Sequence, residues 1–103
     1  MFMPVVVADE APDKDKSWML YLLRCHDGSF YTGMTNDLAR RLNQHQDGRA
    51  SRYTRSRRPV KIVYSELCAS RSHALKRESV VKALSRKEKE KLIKEQKTPK
   101  VIS

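Results

Sequence analysis

Apolar residues along this chain gather into a few runs separated by polar and charged breaks. From Ser17 to Cys25 the sequence SWMLYLLRC is almost unbroken in its apolar character. Its length and continuity predict a strand buried on both faces. The run leaves through His26-Asp27-Gly28-Ser29, in which Asp-Gly is a hairpin signal, and Phe30 to Met34 supplies the returning strand. Thr35-Asn36-Asp37 offers helix caps, Leu38 to Gln46 reads as a helix, and Gly48 ends it. Arg49 to Pro59 (RASRYTRSRRP) has no apolar periodicity and carries five arginines, so it reads as a basic loop. Val60 to Cys68 resumes a strand pattern with β-branched residues leading. From about Ser72 to Leu84 apolar residues recur at helical spacing. Ser85-Arg86-Lys87-Glu88 is a capping-box pattern, so a further helix begins there and runs to about Gln96, with Pro99 ending any continuation.

The resulting order, β-β-α-β-α-α, contains one hairpin and one crossover. It predicts an α+β fold, a three-stranded, mostly antiparallel sheet flanked by helices. At 103 residues the chain holds one domain, expected over 17–97, with a disordered tail over 1–16 and a short tail over 98–103. The first residues, MFMPVVVADEAPDKDK, lack a basic segment ahead of their apolar patch and read poorly as a secretory signal. No apolar stretch is long enough to span a membrane. Cys25 and Cys68 each lie inside an apolar run, and reduced, partly buried thiols in a cytoplasmic protein are expected.

Charge changes the picture most. With 22 Lys and Arg against 12 Asp and Glu, the formal net charge is +10, which points to an anionic partner. Nucleic acid suits it better than membrane, because the basic residues are spread over several elements and do not form one basic amphipathic helix.

Candidate chemistry collects where the returning strand meets the first helix. A two-residue Asp27-Gly28 turn sets Tyr31 opposite Arg24 and sends Tyr21 and Tyr31 to opposite sheet faces. A three-residue loop, Asp27 to Ser29, sets Tyr31 opposite Cys25 and Tyr21 opposite Thr35, and places both tyrosines on one face. The second register is the one that makes a single site. On a wheel of about 100° per residue, Leu38, Leu42, Arg41 and His45 form one arc, whereas Arg40, Asn43 and Gln44 fall opposite. A guanidinium at the margin of a core suits a phosphate; pairing of Arg41 with a carboxylate, and an ordinary edge role for His45, stay open. On the helix after the third strand, Ala74, Val80, Val81 and Leu84 mark the buried arc, and Glu78 falls at its edge. A carboxylate there can bind a hard divalent cation, or it can be solvated or paired with Lys82. The cysteines and histidines lack zinc-site spacing, and no phosphate-binding glycine loop or nucleophile elbow is present.

Laid out in this way, the sequence resembles the GIY-YIG nuclease domain over about Ser17 to Gln96, and most closely its small stand-alone bacterial members of the YhbQ type. In Met19-Leu20-Tyr21 the tyrosine matches the first signature; in Tyr31-Thr32-Gly33 the tyrosine and glycine match the second. Arg41 falls ten residues after Tyr31, His45 stands one turn later, and Glu78 lies early in the helix after the third strand. The resemblance implies a metal-dependent endonuclease that hydrolyses phosphodiester bonds with little sequence specificity, on DNA in preference to RNA. It also leaves room for a non-catalytic nucleic-acid-binding module of the same fold. It implies one divalent ion, Mg²⁺ or Mn²⁺, on Glu78, and no small-molecule cofactor. Tyr21 is the implied base, its pKa lowered by nearby cations or the metal, with Arg41 neutralising phosphoryl charge. Tyr31 and His45 would orient water and base, and Gly33 would let backbone and phosphate approach. Arg49, Arg52, Arg55, Arg57 and Arg58 would hold the flanking strand through sequence-blind, salt-sensitive contacts.

Overall fold

The computed structural model describes residues 17–97; the tails expected at 1–16 and 98–103 lie outside the described residues. Strands β1 (Trp18–Cys25), β2 (Phe30–Thr35) and β3 (Val60–Cys68) form one sheet in the order β2-β1-β3. Both pairings are antiparallel, so β1 is the centre and, among the described residues, β2 is an edge. Helix α1 (Leu38–Gln46) follows β2, and α3 (Arg71–Lys82) and α4 (Arg86–Lys97) follow β3. This is the α+β architecture read from the sequence.

The continuous apolar character of β1 has a structural cause: each face of the strand feeds a separate core. Leu20 and Leu22 face one way and pack with Tyr64, Cys68, Ala74 and Val81, against α3 and α4. Tyr21, Leu23 and Cys25 face the other way and pack with Val60, Tyr31, Leu38 and Leu42, beneath α1. Cys25 and Cys68 are free, buried thiols belonging to these two different cores.

The helix boundaries follow their caps. Asp37 accepts the backbone N–H of Arg40 and starts α1. Gly48 takes a positive φ of 79° after its end, a backbone conformation open to glycine at little cost. Before α4, Ser85 and Glu88 exchange hydrogen bonds, Ser85 N–H to Glu88 Oε1 and Glu88 N–H to Ser85 Oγ, the reciprocal capping box the sequence predicts.

Three local expectations are corrected. The hairpin loop has three residues but sits one position earlier than expected, at His26 to Gly28: Cys25 N–H donates to the Ser29 carbonyl, Gly28 takes a positive φ, and Tyr31 faces Leu23, not Cys25. The slip from the expected register is two residues, so side-chain parity is kept and Tyr21 and Tyr31 still share a face. The basic segment is not all loop, because Ser51 caps a one-turn helix, α2 (Arg52–Arg55), by accepting the Thr54 N–H. Val80 is 53% exposed and lies off the buried arc of α3, which Ala74 and Val81 carry.

Candidate active site

The site is built on the α1 face of the sheet around Tyr21, which is 2% exposed at the middle of β1. Gly33 is its cross-strand partner, and the tyrosine ring lies over that glycine toward the open edge of β2. The α1 periodicity brings His45 inward with Leu38 and Leu42. His45 Nε2 lies 3.0 Å from the Tyr21 hydroxyl, and Nδ1 lies 2.8 Å from Thr54 Oγ1. Tyr31 meets the His45 ring edge-on at 5.1 Å and stacks on Tyr53 at 6.0 Å. The guanidinium of Arg57 covers Tyr53 at 3.9 Å.

Arg41 is half-buried on the same helix, while Arg40 is exposed, as the wheel predicts. Among the described residues the Arg41 side chain makes no hydrogen bond or ion pair, so the alternative of a carboxylate partner is not realised there. It borders a cleft of about 210 Å³ walled by Thr35, Asn36, Asp37, Arg40 and Gln44. Glu78 is also half-buried and forms no ion pair among the described residues, with Lys82 or otherwise. It sits on α3, which packs on the opposite sheet face, yet its charge acts on Tyr21. Tyr31, Arg41 and Glu78 thereby act electrostatically on the Tyr21 phenol, which His45 meets by a hydrogen bond.

Burial governs the titration of the central pair. His45 is held neutral, its pKa pulled down to about 4 by desolvation and, secondarily, by the Arg41 charge. Tyr21 is pushed well above the ordinary tyrosine value, first by burial and then by Tyr31, with Glu78 adding to the rise and Arg41 opposing it. The expectation of a lowered Tyr21 pKa is therefore overturned for the free protein: one partly exposed cation does not outweigh the loss of water around a buried phenol.

The basic segment divides in two. Arg57 is committed internally, donating to Asp27 Oδ2 at 3.0 Å and to the Tyr53 carbonyl at 2.9 Å. Arg58 donates to the carbonyls of Arg55 and Gln46. Both latch the hairpin loop, α1 and α2 together through these bonds, and the Nη2 group of each has no protein partner among the described residues. Arg49 bonds Asp47 at an exposed position, whereas Arg52 and Arg55 are exposed and their side chains have no hydrogen-bond partner among the described residues. Gly33 also changes its reading: the close approach it permits is that of the Tyr21 ring.

Thr54, Ser51 and Tyr53 are the site neighbours that periodicity does not reveal, since one helical turn is too short to show it. The available signal is Ser51 itself, an N-cap residue three positions before Thr54.

No three of His, Cys, Asp and Glu gather into a metal cage among the described residues. Among the described residues Glu78 is a half-buried carboxylate without an ion-pair partner. A single carboxylate is compatible with Mg²⁺ or Mn²⁺, because Mg²⁺ typically keeps several waters and takes one or two carboxylates together with substrate phosphate.

The sequence matches the GIY-YIG catalytic domain profile over residues 17–97. The chain belongs to the GIY-YIG family. Its GIY-YIG relatives include a UPF0213 protein of Desulfotalea psychrophila, 46% identical over 87 residues that cover 82% of this chain and 79% of that one. A UPF0213 protein of Cupriavidus pinatubonensis is 47% identical over 75 residues, covering 73% and 83%. The fold is similar to the solution NMR structure of a UPF0213 protein from Bacillus halodurans (TM-score 0.52, 40% identity, 81% of this chain and 88% of that one). It is also similar to that of a protein from E. faecalis (TM-score 0.58, 38% identity, 86% and 95%). The GIY-YIG family is a nuclease family. Among the described residues, no helix is long and apolar enough to cross a membrane.

Proposed function

We propose that this GIY-YIG protein is a cytoplasmic, metal-dependent endonuclease that hydrolyses phosphodiester bonds in nucleic acid, on DNA in preference to RNA and with little sequence specificity. The observation that carries the reading is the pair of half-buried charges, Arg41 and Glu78, left without ion-pair partners beside a buried Tyr21–His45 hydrogen bond. Unpaired charge at the margin of a core is costly, and a phosphate with its cation would satisfy both groups. The two free, buried thiols fit a reducing compartment.

In this reading the substrate phosphate lies between Arg41 and Glu78. Arg41 neutralises charge that builds on the phosphoryl oxygens, a contribution of the kind worth on the order of 10²–10³ in rate. Glu78 would hold the divalent ion, which would supply stabilisation of the charge developing in the reaction. Tyr21, once ionised, accepts a proton from the attacking water; His45 steadies its oxygen from behind and Tyr31 packs against His45. A cation on Glu78 offsets the negative charge that otherwise opposes Tyr21 ionisation. Exposed Arg52 and Arg55, with Arg49, give the flanking strand its sequence-blind hold.

One observation favours a second reading: a phenol shifted upward retains its proton at neutral pH, as befits a module that binds without cutting. Cleavage decides between them. Purified protein is incubated with linear, branched and single-stranded DNA and RNA, with Mg²⁺, with Mn²⁺ and with chelator. Metal-dependent cutting that is lost in Glu78→Ala supports the nuclease; binding with no cutting across the panel establishes the binder.

A further inference from the structure

Behind Tyr21 and His45 a chain of hydroxyls runs into the core. Thr54 is fully buried and His45 is 1% exposed, and among the described residues no charged group hydrogen-bonds to either side chain. Ser51 Oγ accepts the Thr54 N–H at 3.1 Å and lies 3.0 Å from Thr54 Oγ1. Thr54 Oγ1 in turn lies 2.8 Å from His45 Nδ1, and His45 Nε2 lies 3.0 Å from the Tyr21 hydroxyl. A neutral imidazole is a donor at one nitrogen and an acceptor at the other, and the bond made by the far nitrogen decides which.

The distances give this chain a direction. Ser51 Oγ accepts the Thr54 N–H, and among the described residues its own hydrogen has one protein acceptor in reach, Thr54 Oγ1 at 3.0 Å, so the fully paired arrangement sends that hydrogen to Thr54. The Thr54 hydrogen then has two acceptors, His45 Nδ1 at 2.8 Å and the Ser51 carbonyl at 3.4 Å. Only the first lies in the ordinary range for a hydroxyl donor. We infer that Thr54, backed by Ser51, is a positioning residue that holds His45 with its proton on Nε2, aimed at the Tyr21 oxygen. Every hydrogen in the series Ser51–Thr54–His45 is then directed toward Tyr21. The phenol accepts from behind and keeps its own hydrogen on the open side of the site. In this state His45 is a donor to Tyr21 and not the acceptor of its proton, consistent with burial holding the imidazole neutral. A phenolate formed at Tyr21 meets an N–H, whereas the opposite tautomer would present it with a lone pair.

The catalytic consequence rests on the proposed nuclease reading; the tautomer itself does not, and the two are measured separately. In full-length protein labelled with ¹⁵N-histidine, long-range ¹H–¹⁵N correlation identifies which His45 nitrogen bears the proton, with His45→Gln used to assign the signal among the three histidines. The expected wild-type result is an Nε2-protonated ring. Thr54→Ser, which keeps the hydroxyl, preserves it. Thr54→Val, near in shape but without the donor, shifts the population toward Nδ1–H. In the same variants, Thr54→Val lowers kcat for cleavage on the order of 10- to 100-fold, the range for partners that orient a functional histidine, with KM little changed and Thr54→Ser restoring the rate. An Nδ1-protonated wild-type ring overturns the inference, as does a folded Thr54→Val protein with the wild-type tautomer. If Thr54→Val fails to fold, the wild-type and Thr54→Ser spectra decide it. A wild type that cuts nothing defeats the nuclease reading and leaves the tautomer result standing.

Discussion

The ring of Tyr21 occupies the space that a side chain on Gly33 would need. A methyl group built at Gly33 comes within 2.5 Å of Tyr21 Cζ, closer than any non-bonded carbon contact. The glycine on β2 is therefore a molecular seat for the tyrosine on β1, and it is needed for space, since its φ is not in the left-handed region. Gly33→Ala is expected to displace Tyr21 from His45. Overpacking of this kind costs about 1–3 kcal/mol, and a thermal melt reads that loss. Cleavage should fall further than stability alone explains. Wild-type activity and melting in Gly33→Ala would refute the seat.

Tyr21→Phe separates the hydroxyl from the ring. The ring still fills the space over Gly33, but His45 Nε2 loses its partner at 3.0 Å. An unsatisfied buried polar group costs about 1–3 kcal/mol, so the protein remains folded with a lower melting temperature. Loss of a base contributes on the order of 10²–10⁴ in rate, which single-turnover cleavage with Mn²⁺ would show.

Glu78→Ala should abolish cleavage while leaving nucleic-acid binding intact or slightly tighter, because a negative charge leaves a surface that meets phosphates. Arg41→Ala should also stop cleavage, with a modest loss of affinity. Parallel cleavage, binding and melting measurements check both. A folded Glu78→Ala protein that cuts as well as wild type would remove Glu78 from the mechanism.

The arginines of the basic segment should not behave alike. Arg52→Ala with Arg55→Ala is expected to weaken binding and flatten its salt dependence, by up to about 0.9 in the log–log slope for each duplex phosphate no longer neutralised. Arg57→Ala should act mainly through stability, because its bonds run to Asp27 and Tyr53. Titrations at several salt concentrations beside thermal melts distinguish the two classes; equal salt-slope changes at Arg52, Arg55 and Arg57 would contradict the division.

Folding should be pH-sensitive through His45. Its pKa is about 4 in the folded protein against 6.5 for an unperturbed histidine. Between those values the unfolded chain binds the extra proton. The His45 contribution is therefore fully present above pH 6.5 and declines as pH falls toward 4. It amounts to on the order of 3 kcal/mol over the full window. Melting temperatures at pH 7.5, 6 and 5 should decrease in that order, and His45→Gln should flatten the part between 7.5 and 5. An unchanged slope in that variant would place the sensitivity elsewhere.

Much of this arrangement is legible in the sequence, and the exceptions share a cause. The two-faced burial of β1, the limits of α1 and the Ser85–Glu88 capping box follow from patterns several residues long. The common face of Tyr21 and Tyr31 survives a misplaced loop because a two-residue slip in register preserves strand parity. Helix α2 and the burial of Thr54 are not legible from periodicity, since one turn of RYTR shows no period and a hydroxyl reads as surface. The inward commitment of Arg57 and Arg58 depends on carbonyls and on Asp27, thirty residues away in the chain in the case of Arg57. The Tyr21 pKa reverses its expected direction because burial depends on neighbours from four separate elements.

An open strand edge invites a second chain to add to the sheet. Here β2 is such an edge, and the groove along it is lined by Phe30, Tyr31 and Thr32 together with Lys82 and Lys89. Two like-charged ammonium groups beside exposed aromatic surface make strand addition by another copy unfavourable. The rim that gathers the tyrosines and charges of the site thus also guards against self-association, and neutralising Lys82 and Lys89 together would leave the most apolar stretch of that edge free to template a neighbouring molecule.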